Sequence, residues 1–130
     1  IKSRVNDYAA VLSNSQMHQL YQISAQHQFS NHNHVVVVTA ASSGSESAQT
    51  YAERIWQQWK PTKKSHSVML LLVKQPQGAA IIAGDAFDKE LNAAAIKKII
   101  AKNIADSLSK EDYDGAAMEG LQGILGEFNR

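Results

Sequence analysis

The chain has 130 residues, a net charge of +1, 44% hydrophobic and 19% charged residues, and no cysteine. Its length suits one domain with a real core, and the missing cysteine excludes thiol catalysis, Cys-ligated zinc and iron–sulfur clusters. The small charge disfavours nucleic acid as a partner, and the longest apolar run, residues 68–73, falls far short of the roughly 20 needed to span a bilayer.

In chain order, residues 1–12 read as an irregular arm that runs beside a sheet or adds a strand to it. Ser13 with Gln16 fits a capping box. Met17, Leu20, Tyr21, Ile23, His27 and Phe29 then predict a helix over 14–29. Val35 to Thr39 are all β-branched, and their lack of alternation predicts a strand buried on both faces over 34–40. A Ser-rich loop around Gly44 leads to an amphipathic helix marked by Ala48, Tyr51, Ala52, Ile55 and Trp59, with Pro61 after it. Residues 68–73 predict a second buried strand. The turn at 75–78 joins it as a hairpin to a short strand over 79–83. An acidic loop, 84–88, precedes a long helical face from Leu91 to Leu108. A break near 109–112 precedes a last helix carrying Ala117, Leu121, Ile124, Leu125 and Phe128. The crossover through the Trp-bearing helix is expected to be right-handed. The pattern is that of an α/β fold, a small mixed sheet with helices on both faces.

The net charge is a cancellation. Residues 1–65 hold six Lys/Arg and three Asp/Glu (+3), and residues 66–130 hold seven and nine (−2). All five histidines lie at or before His66. His27, His32 and His34 read as solvated loop residues rather than a metal site, for lack of further ligands nearby. Trp56 and Trp59 read as core or rim packing. Ser42, Ser43, Ser45 and Ser47 lack a nucleophile-elbow motif, and helix capping accounts for at least one of them. Gly115, Gly120, Gly123 and Gly126 in the last helix point to close packing against a neighbour, since glycine in a helix interior otherwise costs about 1 kcal/mol. The carboxylates Asp7, Asp85, Asp88, Asp112 and Asp114 flank predicted strand and helix ends. Drawn together, such oxygens suit a hard cation such as calcium or magnesium, which would relieve their mutual repulsion.

Several segments, in order, resemble the TPM domain family. Val5, Asn6, Asp7 and Ala10 to Ser13 resemble its V-x-D-x-A-G-V-L-S opening. Val35 to Thr39 resemble V-V-V-V-T. Tyr51, Ala52 and Trp59 resemble Y-A-x-x-L…W, and Val68 to Val73 resemble V-L-L-L-V. Asp112, Tyr113 and Asp114, then Ala116 and Gly120, resemble the G-D-Y closing segment. The resemblance covers nearly all of residues 1–130. It implies one three-layer α/β/α sandwich acting outside the cytoplasm, in the periplasm or anchored to a membrane and facing it. It also implies a cation site at Asp7, Asp88 and Asp112. The chain departs from the pattern at Ser65, His66 and Ser67, where the family often has D-N-G. It departs again at Gly84 to Asp88, where the family has G-Y-G-L-E. Asp85 is expected to stand in for the lost aspartate from the same side of the sheet.

The resulting expectation is a monomeric accessory or interaction domain for a membrane protein complex. It carries a weak divalent-cation site, with calcium the first candidate, at Asp7, Asp85, Asp88 and Asp112, and no organic cofactor. The alternative is a metal-dependent acid phosphatase acting on phosphomonoesters, with Lys63 and Lys64 as phosphate clamps. The chain opens on Ile1 rather than Met, as expected of a mature or excised domain with its signal or anchor removed.

Overall fold

The computed structural model describes residues 4–31, 33–59 and 66–128. Four strands form one mixed sheet in the order β1 (Val5–Asp7), β2 (His34–Ser42), β3 (Ser67–Gln75) and β4 (Gly78–Ala83). The first three run parallel and β4 returns antiparallel. The arm therefore does supply a strand, three residues long.

Strand side chains alternate between two buried faces. Val35, Val37, Val68, Leu70, Leu72 and Ile81 enter the larger core. There they meet α1 (Asn14–Asn31), α3 (Ala93–Ile99), a π-helical segment (Ile100–Ile104), α4 (Ala105–Ser109) and α5 (Tyr113–Phe128). Val36, Val38, Ala40, Met69, Leu71, Val73 and Ala80 pack under α2 (Ala48–Gln58). Both faces are buried, so these strands need no polar alternation, and their β-branched and apolar runs follow. The predicted three-layer α/β/α sandwich is the observed one. Trp56 and Trp59 pack, partly buried, at the rim of the smaller core.

The long helix is interrupted in a way its sequence explains. Ile99 and Ile104 are both buried yet five residues apart, which in an α-helix turns them apart by roughly 500°. The π segment, with its wider turn, lets both face the core. The α5 glycines then admit this helix closely. A methyl group at Gly120 would lie 2.9 Å from Leu70 Cδ2 and 3.0 Å from Ile104 Cδ1. One at Gly123 would lie 3.0 Å from Ile99 Cγ2, whereas one at Gly126 would meet nothing within 4 Å.

The two crossovers differ in hand. β1, β2 and β3 lie side by side in that order, but α1 covers one face and α2 the other. Equal steps across the sheet with helices on opposite faces give opposite hands, so only one crossover follows the right-handed rule.

Candidate functional site

This divergence places the site. The chain leaves β1 toward the α1 face and leaves the neighbouring β2 toward the α2 face. Where adjacent connections part in this way, a crevice opens at the carboxyl ends of the strands, and that is where ligands bind in open α/β sheets. Asp7 and Thr39 are register partners at this point.

Asp7 organises the loop above it. Its Oδ1 accepts hydrogen bonds from Thr39 Oγ1 (2.7 Å) and the Val11 N–H (3.1 Å). Its Oδ2 accepts one from the Leu12 N–H (3.0 Å). Thr39 Oγ1 in turn accepts the Ala9 N–H at 3.0 Å. A loop between a strand and a helix leaves backbone donors without partners, and one carboxylate and one hydroxyl collect them here. The next amide along, Ser13 N–H, donates to Asp114 Oδ1 at 3.0 Å. Gln16 Nε2 donates to the Asp114 carbonyl at 2.9 Å. Consecutive amides thus tie Asp7 and Asp114 into one frame, joining β1, α1 and the start of α5. The capping box is half made. Ser13 Oγ accepts the Gln16 N–H (3.2 Å), but the Ser13 N–H goes to Asp114, and the Gln16 side chain turns to α5. Asp112 caps α5 through the Gly115 N–H (2.9 Å) and is exposed. Ser47 caps α2 by accepting the Thr50 N–H, as capping predicted for that serine loop.

Asp85 and Asp88 lie elsewhere. Asp7, Thr39, Leu72 and Ala79 share one level of the sheet, whereas Ala83 pairs with Val68 at the start of β3. Because β4 runs antiparallel, the loop after it opens at the opposite end of the sheet from Asp7. Four residues of strand, roughly 13 Å, separate the two levels. Asp85 therefore does not replace a ligand beside Asp7, and both Asp85 and Asp88 are exposed. Among the described residues no group of three or more His, Asp or Glu is arranged to hold a metal ion. Lys63, Lys64 and His32 lie outside the described residues.

That opposite end is aromatic. His27 is buried in α1, not solvated in a loop, and stacks on Phe128 at 5.2 Å. Phe128 meets Phe87 at 4.8 Å, and Phe87 meets His66 edge-on at 6.2 Å. His34 lies 5.7 Å from Trp59, which meets Trp56 edge-on at 5.5 Å. Burial lowers the pKa of His27. Burial, and next the Arg4 charge, lower that of His34.

A TPM domain family model matches residues 5–127, nearly the whole of this sheet and its helices. The chain belongs to the TPM domain family. Among solved structures, this TPM domain resembles the N-terminal domain of a P. gingivalis protein with a TM-score of 0.88 and 20% identity. The match covers 98% of this chain and 83% of that one. It also resembles the N-terminal domain of the cg2496 protein of Corynebacterium glutamicum, with a TM-score of 0.72 and 18% identity, covering 95% and 78%. No curated protein matches this TPM domain in sequence. Among the described residues, two other than glycine have positive φ, Ala10 at 54° and Glu111 at 59°. They stand where the family pattern quoted above has the glycines of A-G-V-L-S and G-D-Y. Thr39 was missed as a site residue. Its signal was a hydroxyl directly after the four valines Val35 to Val38, inside a strand otherwise buried on both faces.

Proposed function

We propose that this TPM domain is an accessory or interaction module acting outside the cytoplasm, with the crevice at the carboxyl ends of β1 and β2 as its working face. The observation that supports this reading is the coupling of Asp7, Thr39 and Asp114 to one loop. These groups hold a surface in shape, and a shaped surface is what a partner reads. A membrane protein complex is the partner the family resemblance suggests. The two solved structures named above are N-terminal domains, which supports a role as one module of a longer protein.

A closed cation site does not fit the residues, since the four carboxylates first expected to share it are split between two ends of the sheet. We propose instead that calcium or another divalent ion binds the crevice weakly and largely hydrated, because few protein oxygens give low affinity. Metal-assisted phosphatase chemistry needs a firmly held cation with an open position, and the coupling of Asp7 to its loop favours the accessory reading over it. Calcium titration followed by amide shifts, with phosphomonoester assays under calcium, magnesium and manganese, tests the proposal. Shifts gathered at residues 7–13, 39 and 112–115 without hydrolysis are expected. Turnover that disappears in Asp7→Asn would establish the enzyme instead.

A further inference from the structure

We propose that the outer face of α3, the π segment and α4 docks on an anionic lipid bilayer. The three segments form one continuous helix over residues 93–109, roughly 25 Å long. Ile99, Ile104, Ser107 and Leu108 are buried on its inner side. Every exposed position of residues 93–105 is alanine or lysine, and the lysines are Lys97, Lys98 and Lys102. The exposed positions recur in pairs four apart, so they form one smooth, cationic stripe along the helix.

The fold does not use these three charges. They make no ion pair among the described residues. Positions three and four residues away, where a carboxylate would neutralise them, hold alanine, isoleucine or lysine, with the exception of Asp106. Asp106 bonds Lys110 instead, at 3.1 Å. Lys98 and Lys102 stand four apart with like charge, which destabilises a helix. The helix dipole does not offset this, because the helix runs on to Ser109, beyond the reach of its last turn. Other carboxylates flank the stripe. Glu90 and Glu127 line a cavity of about 470 Å³ with Lys89 and Lys98 at its N-terminal end, and Glu119 meets buried Ser107 at the other.

Charge asks for an anionic occupant, and composition selects which. The centre of a protein interface is rich in aromatic residues, methionine and arginine, and poor in lysine and alanine. This stripe is the reverse. It also offers no arginine fork for a carboxylate or phosphate held in fixed geometry. A bilayer surface needs neither feature. Alanine lets the helix lie flat, and flexible lysine stems follow mobile headgroups. No large apolar side chain is exposed between residues 93 and 105 to insert among the acyl chains, so the contact is electrostatic and reversible. Each lysine near an anionic surface is worth roughly a fivefold gain in binding. The stripe shares no residue with the crevice, and either reading can fail alone.

Co-sedimentation with vesicles tests the proposal. The chain should bind vesicles of phosphatidylcholine mixed equally with phosphatidylglycerol at low salt. It should not bind phosphatidylcholine alone, and added salt should release it. Lys97→Gln/Lys98→Gln/Lys102→Gln should weaken binding roughly a hundredfold. Glutamine is nearly as good a helix former as lysine, so the fold is kept. The triple Lys→Arg variant keeps the charges and should keep the binding. Lys74→Gln removes a charge from the far end of β3 and should change little, whereas Lys98→Gln alone should cost roughly fivefold. A wild-type chain that ignores the mixed vesicles overturns the proposal. So does equal loss in Lys74→Gln and Lys98→Gln, which would make net charge the cause. Tighter binding to polyglutamate than to the mixed vesicles would make an acidic chain the occupant and overturn it too.

Discussion

At the carboxyl end of the parallel strands, Asp7, Thr39 and Asp114 turn polar groups inward onto backbone amides. At the other end His27, Phe87 and Phe128 turn rings inward onto one another, and the carboxylates Asp85 and Asp88 face water. Both ends must close a core between helices, but their connections differ. Where the chain parts toward opposite faces, it exposes donors that need acceptors. Where helices α1 and α5 finish together, it leaves an apolar gap that stacked rings fill. The same residue type, aspartate, thus has two roles set by topology rather than by its neighbours in sequence.

The largest test of that contrast is Asp7→Ala. It removes a charged acceptor of three hydrogen bonds and is expected to lower stability by about 2–4 kcal/mol, because part-buried donors lose their partners. Asp85→Ala and Asp88→Ala, in dilute protein, should stay within about 0.5 kcal/mol of wild type. Urea midpoints at constant slope measure all three. Equal losses at both ends would end the distinction.

A second test runs along α5, which reaches from one end to the other. Gly120→Ala forces a methyl group onto Leu70 and Ile104 and should cost about 1–3 kcal/mol. Gly126→Ala meets open space and should gain up to about 1 kcal/mol of helix propensity. If both substitutions stabilise, the close approach of the π segment is not what the glycines serve.

Much of this was legible in the sequence, for reasons particular to its parts. Runs such as Val35 to Val38 and Val68 to Val73 carry their own burial, since only a two-faced sheet accommodates them. The stripe through Tyr51, Ala52 and Ile55 is a local signal of the same kind. The site was only half legible. Asp7 and Asp112 came from a motif, but their distance from Asp85 and Asp88 depends on the antiparallel return of β4, which spacing along the chain cannot supply. Thr39 and the ring partners of His27 depend on contacts between elements far apart in sequence. A histidine in a polar stretch reads as solvated until Phe128 covers it.

The aromatic end should respond to acid. His27 and His34 have pKa values lowered from 6.5, mainly by burial. The unfolded chain then binds protons that the folded chain resists, so stability is complete above pH 6.5 and falls as pH drops through the folded-state values. Thermal unfolding between pH 7.5 and 5 measures the slope, and stability should fall toward the acid end. His27→Phe keeps the stack on Phe128 and removes one titration, so it should flatten the slope. An unchanged slope would place the proton uptake elsewhere.

The smallest expected effects return to the crevice. Ala10 and Glu111 hold left-handed backbone conformations that cost an L-residue about 1–2 kcal/mol. Glycine removes that strain but loses about 0.5–1 kcal/mol of its own to chain entropy. Ala10→Gly and Glu111→Gly should therefore each raise stability by roughly 0.5–1 kcal/mol. They should leave the stacked rings, and hence the acid slope, untouched. The measurement is discriminating because the two loops meet through Ser13 and Asp114. If they form one frame, the double variant should depart from the sum of the two singles by about 0.5 kcal/mol or more. If the gains simply add, the loops relax separately, and the crevice is two neighbouring turns rather than one shaped surface.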